Sequence, residues 1–312
     1  MRVFVTGATG AIGRRAVPAL VAAGHQVTGV ARSPGKAEQI TAAGAVAVSL
    51  DVFDPSALRP AVAGHDAVVN LATHLPPASK AWRRAEWRTN DRLRRELSRQ
   101  LVDAALAAGA SLFAQESLAM QYADGGDRWL DESAPIGLTS FLASLADAEA
   151  AVARFTAAGG TGLALRFGQF YSADDNFSRY YQAAVRKGIA MPPGPSDGYY
   201  PMLHMEDAAR AIVATVGGSA VGGSGGGVPA AGVYNVCDDE PLLRVEHAAV
   251  LADALGVRRK IRTIPSWVLK LGGEAGRHLL RSQRVGNRRF REATGWAPEY
   301  PSVREGWPAA LS

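Results

Sequence analysis

Three glycines stand in Thr6-Gly7-Ala8-Thr9-Gly10-Ala11-Ile12-Gly13, between the β-branched run Arg2 to Thr6 and an alanine-rich helical stretch. A turn of this kind can hold a pyrophosphate. Gly7 permits the sharp bend, Gly10 lets the backbone approach the phosphates, and Gly13 lets the helix pack closely on its strand. The amino end of that helix adds free N–H groups and a partial positive charge. A dinucleotide, NAD or NADP, is the ligand this chemistry suits.

The end of the second strand chooses between the two, because an acid there accepts from ribose hydroxyls whereas an arginine accepts a 2′-phosphate. The chain reads Val30-Ala31-Arg32-Ser33. Arg32 therefore predicts NADP, with Arg14 or Arg15 as a second cation. Asp51, in Leu50-Asp51-Val52, is placed either to accept from an adenine amino group or to cap the helix begun at Asp54-Pro55.

Other chemistry is poorly supported. The histidines His25, His65, His74, His204, His247 and His278 lack metal-ligand spacing, and Cys237 has no second cysteine. No disulfide can form within the chain. A net charge of +5 and a pI near 9.5 raise the question of nucleic acid. Arginines do cluster from Arg83 to Arg99, yet Glu86, Asp91 and Glu96 alternate with them, as on a solvated helix face. The expected partner is a small-molecule substrate with some anionic character, and neither nucleic acid nor a membrane. The chain opens directly on a strand, without a charged region and an apolar stretch before it. No apolar run approaches the roughly 18 residues that span a bilayer. A cytoplasmic location is expected.

These residues need a scaffold. Up to about residue 170, short β-branched runs alternate with helical stretches, the pattern of right-handed βαβ units on a parallel sheet. Strands are predicted at Arg2 to Thr6, Gln26 to Val30, Val46 to Leu50, Ala67 to Leu71, Leu112 to Gln115 and Gly162 to Phe167. Helices are predicted near 11–23, 35–43, 56–63, 80–108 and 139–158. Later a helix over 205–216 and a strand from Val233 to Val236 complete a doubly wound α/β, Rossmann-type domain. The glycine-rich stretch from Gly217 to Gly227 reads as a linker. Residues 1–170, completed by about 204–237, form the expected NADP-binding domain, and 171–203 with 238–312 the expected substrate lobe, where specificity should reside.

The chain resembles the extended, sugar-epimerase-like branch of the short-chain dehydrogenase/reductase superfamily over nearly its whole length. The resemblance rests on the glycine turn, Asn70-Leu71-Ala72-Thr73, Thr89-Asn90, Leu165-Arg166-Phe167-Gly168, His204-Met205-Glu206-Asp207, Tyr234-Asn235-Val236 and Thr294-Gly295-Trp296-Ala297-Pro298. It implies a cofactor-contact set of Gly7, Thr9, Gly10, Ala11, Ile12, Gly13, Arg32, Asp51, Val52, Leu71, Ala72, Thr73, Arg166 and Gly168. It also implies a homodimer through the helices at 80–108 and 139–158.

In that family a Ser/Thr after the fifth strand works with a Tyr-x-x-x-Lys on the next helix. The lysine lowers the tyrosine pKa, and the tyrosine exchanges a proton with a substrate oxygen while the nicotinamide moves a hydride. Ser117 resembles the first element and is expected to orient the substrate oxygen. The second is missing. Aligning Ser144 and Glu149 with the family pattern puts Phe141 where the tyrosine belongs and Leu145 where the lysine belongs.

Three readings follow. In the first, an NADP-dependent oxidoreductase or isomerase acts on a hydroxyl or carbonyl carbon of a small metabolite, with Tyr122 or His74 as replacement acid and Tyr171 as a weaker alternative. In the second, the cofactor is retained for epimerase, dehydratase or lyase chemistry, with Glu116, Asp131 and Glu132 as carboxylates. In the third, the protein binds NADP(H) without turnover and senses redox state.

Overall fold

A computed structural model describes residues 1–217 and 227–312. The predicted linker therefore falls almost wholly outside the described residues. The first half winds as expected, through β1 (Arg2–Thr6), α1 (Gly13–Ala22), β2 (Gln26–Ala31), α2 (Pro34–Ala42), β3 (Val46–Ser49), α3 (Pro55–Val62) and β4 (Ala67–Asn70). After an excursion come α4 (Arg88–Arg92), α5 (Ser98–Ala107), β5 (Leu112–Leu118), β6 (Trp129–Leu130), α6 (Ser144–Ala157) and β7 (Thr161–Phe167). The remainder is β8 (Gln169–Tyr171), α7 (Asn176–Arg186), β9 (Met202–His204), α8 (Met205–Thr215), β10 (Gly232–Val236), α9 (Arg244–Ala254), α10 (Ser266–Leu271), α11 (Gly273–Leu279), β11 (Arg284–Val285), α12 (Arg288–Thr294) and α13 (Val303–Leu311).

Seven strands form one parallel sheet in the order β10-β7-β5-β4-β1-β2-β3. The winding direction reverses between β1 and β4, and this opens a crevice at their carboxyl ends. Both faces are covered, so β1 and β4 read as nearly unbroken apolar runs. On one face Val3, Val5, Leu20, Ile40 and Ile212 pack beneath α1, α2 and α8. Phe4, Leu58, Leu101, Phe113 and Phe155 pack beneath α3, α5 and α6 on the other. A separate cluster around Tyr171, Val185, Leu251 and Trp307 ties together α7, α9 and α13. Two further parallel pairs, β6 with β11 and β8 with β9, join this part to the sheet domain.

Two predicted helices are revised. The one expected over 80–108 is broken into 3-10 turns at 78–80 and 84–87, then α4, a π-helical turn at Leu93–Leu97 and α5. The widened turn coincides with Arg94, whose side chain is drawn inward to a buried ion pair with Glu116 at 3.2 Å. The helix expected over 139–158 starts at Ser144. Ser140 lies outside it because both its N–H and its hydroxyl donate to Glu274 of α11, turning the preceding segment toward the lobe.

Candidate cofactor cleft and the closed relay site

The glycine turn has the close packing that its sequence implies. Gly7 adopts a φ of +70°, and a Cβ there would sit 2.4 Å from the Leu71 carbonyl oxygen. At Gly13 a Cβ would lie 2.1 Å from the Gly7 oxygen. The Gly10 N–H donates to that same oxygen at 2.9 Å, closing the bend. Behind the turn, the Thr6 hydroxyl donates to Asn70 Oδ1 at 2.6 Å, and Asn70 Nδ2 donates to Gln115 Oε1 at 2.8 Å. The carboxyl ends of β1, β4 and β5 are thus fixed by one buried polar chain. Neither Asn70 nor Gln115 is among the expected site residues; the sequence signal for them is an amide at the end of the apolar run of β4 and another after Leu112-Phe113-Ala114 in β5.

This geometry fits a dinucleotide-binding turn, since the bend can close only because Gly7 and Gly13 lack a Cβ. Arg32 directly follows β2 and is exposed, beside the turn. Arg15 is held by Asp174 at 3.0 Å and by Glu206, whereas Arg14 is exposed and meets Asp174 through Nη2 alone, at 2.7 Å. Burial works to raise the Asp174 carboxyl, but these guanidinium partners prevail and bring it down to about 2. Asp51 accepts from the Phe53 N–H at 3.0 Å, while the cap of α3 is Asp54. Thr73 and His74 are exposed on the segment after β4, where Asn90 Oδ1 accepts the His74 N–H at 2.9 Å.

At the other end of the cleft, the residues expected to do chemistry are tied into the wall. Ser117 is buried in β5 and donates to Glu149 Oε1 at 2.7 Å, so its hydroxyl faces α6 and not a substrate oxygen. Arg166, expected among the cofactor contacts, instead clamps both oxygens of Glu149, at 2.9 and 2.7 Å. Burial tends to raise Glu149, yet the hydrogen bonds and charge of Arg166 hold it below the ordinary range. Tyr122 is likewise buried, donating to Asn235 Oδ1 and accepting from Arg166, both at 2.8 Å. Burial pushes its phenol up to about 12 against the pull of Arg166, which makes it a poor proton donor near neutrality. Ser117, Tyr122 and Arg166 therefore form a bracket joining β5, α6, β7 and β10.

The other proposed groups are also occupied. Tyr171 is buried against Asp238 and the Ser302 carbonyl. Glu116 pairs with Arg94, Asp131 holds a turn with Ser133, and Glu132 accepts the Asn235 N–H. Of the expected trio Ser117, Tyr122 and His74, only His74 is exposed.

Leu145, expected in the place of the relay lysine, is buried in an apolar cluster. Leu118, Met120, Leu142 and Leu145 form one cluster, with Tyr200 packed against it from the lobe. Phe141 sits edge-on to Trp87, ring centres 6.1 Å apart, and so is held by the excursion after β4. No group of three or more metal-ligating side chains occurs among the described residues. No helix among them is long and apolar enough to cross a membrane.

Known proteins share this fold. A family model described as NAD(P)H-binding matches residues 7–186. The 3-diazoavenalumate denitrifying reductase of a Streptomyces species is 33% identical, over 98% of this chain and 99% of its own. Human epimerase family protein SDR39U1 is 26% identical over 97% of each chain. The crystal structure of its isoform 2 with NADPH superimposes with a TM-score of 0.75 at 24% identity, covering 100% of this chain and 99% of that one. UDP-glucose 4-epimerase of Thermus thermophilus with NAD gives 0.77 at 19% identity, covering 100% and 98%. The chain belongs to the NAD(P)H-binding family of epimerase-like, extended short-chain dehydrogenase/reductases.

Proposed function

We propose that the protein is an NADP(H)-dependent reductase that reduces an electrophilic carbon of a small organic acceptor without a tyrosine-lysine proton relay. The observation that carries this reading is the apolar cluster of Leu118, Met120, Leu142 and Leu145 in a chain with a closely packed cofactor turn. A bound nicotinamide supplies a hydride. In a carbonyl reduction the resulting oxyanion needs a proton, and the phenol and lysine that provide one elsewhere in the family have no counterpart here.

Acceptors that form no oxyanion need no such donor. An arenediazonium ion is one: a C–H bond forms at the ring carbon as the C–N bond breaks, and the nitrogen leaves as N2 with that bond's electron pair. The Streptomyces relative, by its name a denitrifying reductase of a diazo compound, supports this class. The wall residues then exclude water and present an apolar surface to a planar body. For a carbonyl acceptor His74 is the exposed titratable side chain beside β4 that could serve. The preference for NADP(H) is carried by Arg32, with no acid at the end of β2.

The test is NADPH oxidation with matched arenediazonium salts, quinones and simple carbonyl compounds, with N2 release recorded against protein-free controls. Reduction of diazonium acceptors in preference to quinones and simple carbonyls is expected. Tight NADPH binding with no oxidation by any acceptor would replace this reading with that of a redox sensor.

A further inference from the structure

Where the short parallel pair β6 and β11 ends, the two chains part and leave a groove of about 690 Å³. The Gly286 N–H donates to the Leu130 carbonyl at 3.0 Å, and beyond this bond residues 131–133 line one side of the groove and α12 the other. Glu132 accepts the Asn235 N–H at 2.8 Å and Asn287 donates to the Cys237 carbonyl at 2.6 Å, so the groove lies against β10. β10 is the edge of the sheet, and β7 and β5 stand between it and the crevice at β4. Small-molecule sites have volumes of about 300–1,000 Å³, and this groove is of that size without being part of the cofactor crevice.

Two of its side chains are exposed and yet held in place. Trp129 is 53% exposed, a large apolar surface to leave in water. The Arg284 guanidinium lies 4.2 Å from the centre of its ring and 4.9 Å from that of Tyr199, which fixes the indole by cation–π contact. On the opposite side Arg289 lies 4.9 Å from the centre of the Tyr234 ring, whose hydroxyl donates to the Ala230 carbonyl at 2.7 Å. An aromatic ring and a guanidinium thus share one groove, with part of the rotamer freedom that binding would cost already lost.

Carboxylates also line the groove, but three of the four are engaged. Asp239 accepts from Asn287 Nδ2 at 2.7 Å and from Arg291 at 2.8 Å, Asp131 accepts from the N–H and hydroxyl of Ser133, and Glu132 from Asn235. The fourth, Glu292, meets Arg288 only at 3.9 Å, between exposed side chains, a pair worth little in water. Arg289 makes no ion pair among the described residues. The charge left over is therefore positive. We infer that the groove is a second ligand site, for a planar aromatic anion whose ring stacks on Trp129 and whose carboxylate or phosphate is held by Arg289, with Arg288 as a second cation. A guanidinium fork suits either oxyanion. The site does not depend on which reaction the cleft performs.

Calorimetry on the NADPH-loaded protein tests it, with 2-naphthoate and 2-naphthyl phosphate as anionic probes and 2-naphthamide as the neutral control. At least one anion should bind, with 2-naphthamide weaker by about tenfold or more. Arg289→Gln should weaken the anion by a similar factor, and so should Trp129→Leu, while both variants keep NADPH affinity within about twofold because neither position touches the cofactor turn. Both side chains are exposed, so either variant serves if the other fails to fold. Binding of neither anion, equal binding of the amide, or anion affinity unchanged in both variants, which would put the probe elsewhere on the protein, overturns the site. Loss of anion binding in both variants with acceptor reduction unaltered supports it and leaves the reductase reading to its own test.

Discussion

The Ser117 hydroxyl lies 2.7 Å from Glu149 Oε1 and donates to it, joining the end of β5 to α6. Gln121 Nε2 reaches the same oxygen at 2.6 Å, and Arg166 clamps the carboxylate from β7. A serine at this position is therefore a strut. Ser117→Ala should cost about 1 kcal/mol in urea denaturation, the ordinary value of a buried hydrogen bond whose acceptor keeps other partners. Turnover with any accepted substrate should stay within about twofold; a loss of about a hundredfold at unchanged stability would return the residue to catalysis.

Gly13→Ala tests the cofactor turn. Its new Cβ would meet the Gly7 oxygen at 2.1 Å, so the turn must open. NADPH affinity, measured by fluorescence titration, should fall about tenfold or more, equivalent to about 1.4 kcal/mol. Unchanged affinity would place the dinucleotide elsewhere.

Arg32→Ala separates the two cofactors. A charge-assisted contact to a 2′-phosphate contributes about 1.5–3 kcal/mol, so NADPH should bind about 10- to 100-fold more weakly. NADH affinity should not change. Equal losses for both cofactors would remove the proposed preference.

His247 should make the protein sensitive to acid. Its Nδ1 lies 2.7 Å from the Met191 carbonyl and must donate, while Nε2 accepts from the Trp307 indole at 3.1 Å. A second ring proton would oppose that indole N–H, and burial, chiefly, lowers the pKa to about 4. The unfolded chain therefore takes up this proton first. Stability is intact above about pH 6.5 and falls as the pH drops toward 4, by about 1.4 kcal/mol per pH unit at most. Gln offers a donor and an acceptor without titrating. In urea titrations, His247→Gln should reduce the fall between pH 7.5 and 4.5 by about 2 kcal/mol.

Leu145→Lys addresses the closed relay site. The position is fully buried among Leu118, Met120 and Leu142, with no carboxylate in that cluster. A lysine there should destabilise the protein by about 3 kcal/mol or more, and adding Phe141→Tyr should not create carbonyl reductase activity. A stable double variant that reduces carbonyls would show that the cleft still holds a latent relay geometry.

The amino-acid sequence by itself determined the parallel α/β winding and the cofactor turn, because both depend on local rules: the alternation of strand and helix periods, and glycine where a Cβ cannot fit. It also carries the expectation that Phe141 and Leu145, neither of which can exchange a proton, stand at the relay positions. Only the tertiary structure decided which polar residues are spent. Ser117 and Tyr122 are reactive types at suggestive positions, but whether a hydroxyl faces a cleft or a carboxylate depends on partners such as Glu149 and Asn235, which are 32 and 113 residues away in the chain. The same holds for Arg15, held by Asp174 and Glu206, which are 159 and 191 residues away in the chain.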